Sequence, residues 1–137
     1  MRSNCSRPLD RALQQLARTT RSGAIVVVLS DLIDLPAAAA DRISALASHG
    51  RALAVVRVLA PAEARFPFSG TVRLRALEGG AVVETEADTT RDEYLAALAA
   101  LTQTYRETIV RRGGRFVGAL TSDDPVRVVR TIVQSLR

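Results

Sequence analysis

The hydrophobic pattern of the chain alternates between continuous apolar runs and apolar positions spaced three or four residues apart. Residues 24–30 carry no charge and are rich in β-branched side chains, which predicts a strand buried on both faces of a parallel sheet. Two further apolar runs, residues 52–59 and 116–120, predict a second strand and a third core strand. A strand, a helix and a second strand in this order favour a parallel crossover connection.

Helical spacing fills most of the remaining chain. Residues 8–18 and 37–48 predict two helices, and a capping-box pattern of Thr90 and Glu93 predicts the start of a long helix that ends near residue 112. Asp124 and Pro125 predict the start of the last helix. The residues predicted to form its inner face are Val128, Val129, Ile132, Val133 and Leu136.

A different pattern occupies the middle of the chain. Residues 61–70 predict an irregular connection, and residues 71–77 then alternate between apolar and polar side chains. With a turn at Glu78-Gly79-Gly80 and a second strand over residues 81–86, this segment predicts a β-hairpin. Residues 1–137 are therefore expected to form one α/β domain, with an open parallel sheet, helices on both faces and an added hairpin.

Composition narrows the functional classes. The net charge is +5, and all 19 basic residues are arginines, so an arginine-rich phosphate- or nucleic-acid-binding protein is one alternative. The arginines are scattered and aromatic residues make up only 4% of the chain, which argues against nucleic acid as the partner. No apolar run is long enough to span a membrane. With the single cysteine, Cys5, and no signal-peptide pattern, the expected location is cytoplasmic.

Candidate chemistry lies where the predicted strands end. Carboxyl ends of parallel strands meet at one edge of a sheet, which brings Ser30 and Asp31, followed by Asp34, towards Thr121 and Asp123. Ser30 and Asp31 could hold Mg²⁺, although two ligands make an incomplete site. The alternative is that the aspartates cap turns and helices. No catalytic motif occurs, so we expect no enzyme activity.

Several segments, taken in order, resemble one known family. Leu29-Ser30-Asp31-Leu32-Ile33-Asp34, residues 57–63 and Ser122-Asp123-Asp124-Pro125 resemble the C-terminal half of the domain of unknown function 58 family, which is von Willebrand factor A-like. The resemblance implies a doubly wound, Rossmann-like sheet whose N-terminal part is missing here. It also implies a metal-ion-dependent adhesion site in which Asp31 matches the final aspartate, while the DxSxS strand of that site is absent.

The resemblance also implies a role. The missing strand would lie beside residues 24–30, so Ile25, Val26, Val27 and Val28 are expected to form an exposed edge that pairs with a second copy or with a missing half. The implied function is a noncatalytic protein-interaction module that assists MoxR-type AAA+ ATPases. Asp34, Thr121 and Asp123 are the predicted interaction residues on the loops.

Overall fold

A computed structural model of the protein describes residues 6–75 and 82–137. Cys5 and the predicted turn at Glu78-Gly79-Gly80 lie outside these residues. Strands and helices alternate as the hydrophobic pattern predicts. The elements are α1 (Ser6–Thr19), β1 (Ile25–Ser30), α2 (Ala39–Ser44) with a 3₁₀ turn (Ala45–Ala47), β2 (Ala52–Leu59), α3 (Pro61–Arg65), β3 (Thr71–Arg75), β4 (Val82–Glu86), α4 (Ala87–Arg111), β5 (Arg115–Leu120) and α5 (Pro125–Ser135).

Three parallel strands form the main sheet in the order β1-β2-β5. The central strand, β2, pairs with β1 through a register that includes Val28 opposite Val55, and with β5 through Val55 opposite Phe116. The predicted hairpin is confirmed, because β3 and β4 pair antiparallel as a separate two-stranded sheet. The fold is therefore α/β, with a parallel sheet and an added hairpin.

The two faces of the sheet hold two separate hydrophobic clusters, because alternate residues of a strand point to opposite sides. On one face, Leu53 and Val55 of β2 pack with residues of α1, α2 and α4, among them Ile109, which is fully buried. On the other face, Ala54 and Val56 pack with β5 and with Ile132 of α5. Helices thus lie on both faces: within residues 6–75 and 82–137, α1, α2 and α4 contribute to the first cluster and α5 alone to the second.

The prediction that residues 24–30 are buried on both faces is wrong. Val26 is 5% exposed, but Ile25, Val27 and Leu29 are 63%, 44% and 66% exposed. The cause is that the helix on this face is too narrow to cover all three strands. α5 packs on residues of β2 and β5, and a helix about 10 Å wide covers only about two strands spaced about 4.8 Å apart. The α5 side of β1 is therefore left uncovered.

Two predicted boundaries also need correction. The long helix begins at Ala87, three residues before the predicted cap, because Ala87 is fully buried and its N–H donates to the Gly70 carbonyl at 2.9 Å. The segment predicted as irregular contains α3. At the start of α3, the Glu63 carboxylate accepts from the Ala60 N–H at 2.7 Å. This is the bond in which the third residue of a helix reaches back to the backbone of the capping residue.

The start of the last helix is confirmed, and its predicted inner face is partly wrong. The Asp124 carboxylate accepts from the Val126 N–H at 2.9 Å, with Pro125 as the first helical residue. Ile132 is buried, whereas Val129 and Val133 are 57% and 48% exposed. Fewer residues of α5 are buried than the apolar pattern predicts, because no other helix of the described residues packs beside α5 on this side of the sheet.

Candidate functional site

The carboxyl ends of the three parallel strands place most of the predicted site residues along one edge. Ser30 ends β1 opposite Arg57 of β2, and Leu59 lies opposite Leu120, the last residue of β5. The Thr121 N–H donates to the Leu59 carbonyl at 2.9 Å, which ties the loop after β5 to the end of β2. The loops after β1, β2 and β5 therefore share this edge, as predicted.

The loop after β1 uses its polar side chains to close a tight turn. The Asp31 carboxylate accepts from the Ile33 N–H at 3.0 Å, and the Ser30 hydroxyl accepts from the Leu32 N–H at 3.0 Å. Leu32 and Asp34 both have left-handed backbone angles, with φ of 63° and 57°. Because Leu32 is only 1% exposed, its burial holds this strained backbone in place, and Asp31 and Asp34 are left exposed to solvent.

A carboxylate also closes the loop after β5. The Asp123 carboxylate accepts from the Leu120 N–H at 2.8 Å, and the side chains of Thr121 and Asp123 are exposed. Both Asp31 and Asp123 thus use one carboxylate oxygen to close a turn. In the described residues, no group of three or more His, Cys, Asp or Glu side chains is placed to hold a metal ion. The residues present therefore do not fit a metal site enclosed by protein ligands.

An aromatic cluster after β2 was not predicted as part of this edge. The Phe66 ring lies 5.0 Å from that of Tyr94 and 5.2 Å from that of Phe68. The Tyr94 hydroxyl donates to the Glu63 carbonyl at 2.9 Å, and Arg91 donates to the Phe66 and Phe68 carbonyls. Burial, and secondly the nearby Glu63 charge, raises the pKa of Tyr94. These contacts fix the segment between α3 and β3 against α4.

The second candidate surface is the uncovered part of the sheet. On α5, Arg127 and Thr131 line a hollow beside Val117 and Gly118 of β5. With 3.6 residues per turn, Val129 and Val133 lie on the opposite flank of the helix, which is the flank nearer to β1. The side chains that form this exposed surface, here called the apolar strip, are Ile25, Val27, Leu29, Val129 and Val133.

The backbone of β1 adds hydrogen-bonding groups to the apolar strip. β1 pairs with β2 along its whole length, from Ile25 opposite Ala52 to Ser30 opposite Arg57. Across residues 6–75 and 82–137, no strand pairs with its other side. A strand with one unpaired side presents N–H and C=O groups that can pair with another polypeptide. An apolar face and an open edge therefore occur together on one strand.

Comparison with known proteins assigns the family. Residues 3–104 match a family model described as protein of unknown function DUF58. The chain belongs to this family. No curated protein matches the DUF58 chain. No helix within the described ranges is long and apolar enough to cross a lipid bilayer.

One solved structure is similar to this DUF58 chain: the crystal structure of the conserved hypothetical protein BatB from Bacteroides thetaiotaomicron, at 20% sequence identity and a TM-score of 0.52. The match covers 93% of this chain and 58% of that chain. At this identity the similarity supports the α/β fold alone. The DUF58 chain thus spans a little more than half the length of a protein whose fold includes it.

Proposed function

We propose that this DUF58 chain is a noncatalytic protein-interaction module of the von Willebrand factor A-like type, and that it binds through β1 and the apolar strip. The observation that carries the proposal is the exposure of Ile25, Val27 and Leu29, at 63%, 44% and 66%, on a strand whose outer edge pairs with no other described strand. Contiguous exposed apolar surface beside an unpaired strand edge is typical of a protein-binding site.

The free energy that the apolar strip contributes to binding can be estimated. Burying the exposed parts of five Val, Leu and Ile side chains is worth about 1 kcal/mol each, or roughly 5 kcal/mol in all. Association itself costs about 4–15 kcal/mol in lost freedom of motion. The apolar strip alone therefore supports weak binding, and a stable complex also needs backbone pairing along the β1 edge. The proposal accordingly requires both features of β1.

The resemblance stated above favours a MoxR-type AAA+ ATPase as the partner, with the loops at Asp34, Thr121 and Asp123 as additional contacts. In this proposal Asp31 and Ser30 shape the loop, and a bound Mg²⁺ would take most of its ligands from outside this chain. Arginine-rich nucleic-acid binding has less support, because five arginines donate hydrogen bonds to acceptors of the protein itself. These are Arg42, Arg51, Arg57, Arg91 and Arg115.

The test titrates the purified chain with a purified MoxR-type ATPase from the same genome and follows binding by calorimetry. Leu29→Lys places a charge on the apolar strip and is expected to weaken binding at least tenfold. Val82→Lys is the matched control, because Val82 is 49% exposed on the hairpin, which forms a separate sheet. Equal binding by both variants and the wild type contradicts the proposed surface, and so does a chain that binds nothing and remains monomeric in light scattering.

A further inference from the structure

We infer that a groove between α1 and α2 binds a small amphipathic carboxylate, whose charged end lies beside Arg51 and whose apolar part lies along the groove. Arg51 immediately precedes β2, so the groove lies at the amino end of the sheet, opposite the edge that carries Asp31 and Asp123. The inference is independent of the β1 surface proposed above, and it gives the chain a second site, for a small molecule.

The groove has the size of a ligand site. Its volume is about 530 Å³, and small-molecule sites typically measure roughly 300–1,000 Å³. Ala17 of α1 and Ala45 of the 3₁₀ turn are exposed, and their small side chains leave the space between the two elements unfilled. Leu13 and Leu46, which are buried, also line it. The groove can therefore receive an alkyl or aryl group.

Arg51 brings to this lining a positive charge that has no counter-charge among the described residues. The residue is only 9% exposed. Its Nε and one Nη donate to neutral acceptors, which are the Ser48 carbonyl, the Ala17 carbonyl and the Thr20 hydroxyl. None of the ion pairs formed by the described residues includes it. Because a buried charge without a counter-charge is costly, an anion in the groove would stabilise the guanidinium.

The other two charged side chains of the lining neutralise each other. Asp10 of α1 and Arg42 of α2 form an ion pair that joins the two helices. The Asp10 carboxylate is therefore already engaged, and the charge of Arg51 is the one left over in the lining. This balance selects an anionic ligand over a neutral or cationic one.

The contacts of His49 show which donor of Arg51 is free. The Ser48 hydroxyl donates to the Ala45 carbonyl at 2.7 Å, and the same oxygen lies 2.8 Å from His49 Nδ1. Since a serine hydroxyl has only one hydrogen, the contact with His49 places a hydrogen on Nδ1. Nδ1 then cannot accept from Arg51 Nη2, which lies 3.4 Å away. This Nη2 is left without an acceptor among the described residues, and a carboxylate oxygen beside His49 would accept from it.

The charge and the apolar lining together define the class of ligand. Guanidinium N–H groups form strong, charge-assisted hydrogen bonds to carboxylates. A small inorganic anion would leave the apolar side chains of the groove in water, and a neutral apolar molecule would leave Arg51 without a counter-charge. A carboxylate with an apolar chain satisfies both parts of the lining.

The test titrates the isotopically labelled chain with octanoate and follows the backbone amide signals by NMR, which reports affinity and position together. Octanamide has the same length and shape without the charge, and acetate has the charge without the chain. We expect octanoate to bind at least tenfold more tightly than either of them. The largest shifts are expected at the amides of residues 13–20 and 45–51.

Two variants test the groove itself. Ala17→Trp places an indole ring in the groove and is expected to weaken octanoate binding at least tenfold. Ala12→Trp is the matched control: Ala12 is also exposed on α1, but at 3.6 residues per turn it lies on a different side of the helix from Ala17, and it does not line the groove. This control is expected to bind octanoate as the wild type does.

A third variant tests the charge. Arg51→Met is expected to reduce the preference for octanoate over octanamide to less than twofold. Because both affinities are measured on the same variant, their ratio does not depend on how stable that variant is. Far-UV circular dichroism and the urea midpoint verify that each variant is folded, and the Ala17→Trp result does not depend on this substitution.

The outcomes separate this inference from the proposed function. Equal binding of octanoate and octanamide by the wild type refutes the role of the Arg51 charge, and acetate binding as tight as that of octanoate refutes an amphipathic ligand. If Leu29→Lys abolishes octanoate binding and Ala17→Trp does not, octanoate lies on the apolar strip and the inference fails. Binding of the ATPase is measured separately, so failure of the groove leaves the β1 proposal standing.

Discussion

Arg51 offers the sharpest test of how the fold is held together, because its guanidinium joins two elements that are distant in sequence. The residue is only 9% exposed. Its Nε donates to the Ser48 carbonyl at 3.0 Å, and one Nη donates to the Thr20 hydroxyl at 2.9 Å and to the Ala17 carbonyl at 3.4 Å. Arg51 thereby satisfies acceptors at the end of α1 and in the loop before β2.

Replacement of Arg51 by methionine keeps much of the apolar stem and removes these donors. Each hydrogen bond from a charged donor contributes about 1.5–3 kcal/mol, and two of the three bonds have good length. Because Ser48 and Thr20 are partly accessible to water, hydration recovers part of the loss. The net loss is therefore about 3 kcal/mol, which lowers the melting temperature of a domain of this size by about 10 °C.

Urea unfolding followed by far-UV circular dichroism measures this loss. The matched control is Arg42→Met, since Arg42 pairs with Asp10 on the surface and their side chains are 46% and 34% exposed; it should cost less than about 1 kcal/mol. Arg51→Lys keeps the charge but has one nitrogen in place of the separate Nε and Nη donors that reach the two elements, so its cost should fall between those of Arg51→Met and Arg42→Met. The reasoning is refuted if Arg51→Met costs no more than Arg42→Met.

Three further results are expected. Burial raises the pKa of Tyr105 above 10.0, and the pKa of Tyr94 is raised too. Because the folded state then holds both phenolic protons more tightly than the unfolded state, this contribution to stability is complete below about pH 10 and is lost above it. Ultraviolet absorbance of the phenolates and urea midpoints measured at each pH should show this. Gly114→Ala should lower the free energy of unfolding in urea by about 1–3 kcal/mol, since a Cβ there lies 2.7 Å from Ile109 Cγ2. Gly118→Ala is the control and should be neutral, because its Cβ meets only Arg57 Nη2, at 3.8 Å. Equal losses in the two variants would contradict this reasoning. Arg57→Met should lower the urea midpoint less than Arg51→Met does. Arg57 donates to the Thr102 hydroxyl, but its Nε is buried without an acceptor among the described residues, and burial, with the Arg106 charge, lowers its pKa. A drop as large as that of Arg51→Met would contradict this.

The parallel sheet and its edge could be predicted because their causes are local. Each apolar run, such as Ala52–Leu59, is bounded by turn residues and is too short for a helix, so it predicts a strand whatever surrounds it. The carboxyl-edge position of Asp31 and Asp123 then follows from parallel pairing. The turn-closing alternative for Asp31 was also accessible from sequence, since an aspartate commonly bonds the backbone two residues on. For Asp123 the sequence offered helix capping, whereas its carboxylate accepts from the Leu120 N–H.

The contacts of Arg51 and of the aromatic cluster could not be predicted in this way. Arg51 meets residues 17–20, and Tyr94 meets Glu63, so each contact joins segments about 30 residues apart. Neither segment carries a pattern that specifies its partner. Likewise, the capping-box pattern at Thr90 was outweighed by the burial of Ala87 at the junction with the hairpin.

The sequence by itself determined which segments of this protein are strands and helices, that the strands are parallel, and that one acidic edge follows them. Only the tertiary structure decided that β1 is buried on one face and open on the other. An apolar run indicates that its side chains are more stable when buried, because hydrophobicity is a property of the residues themselves. Which faces are covered depends on how many helices the rest of the chain supplies, and here α5 alone cannot cover three strands.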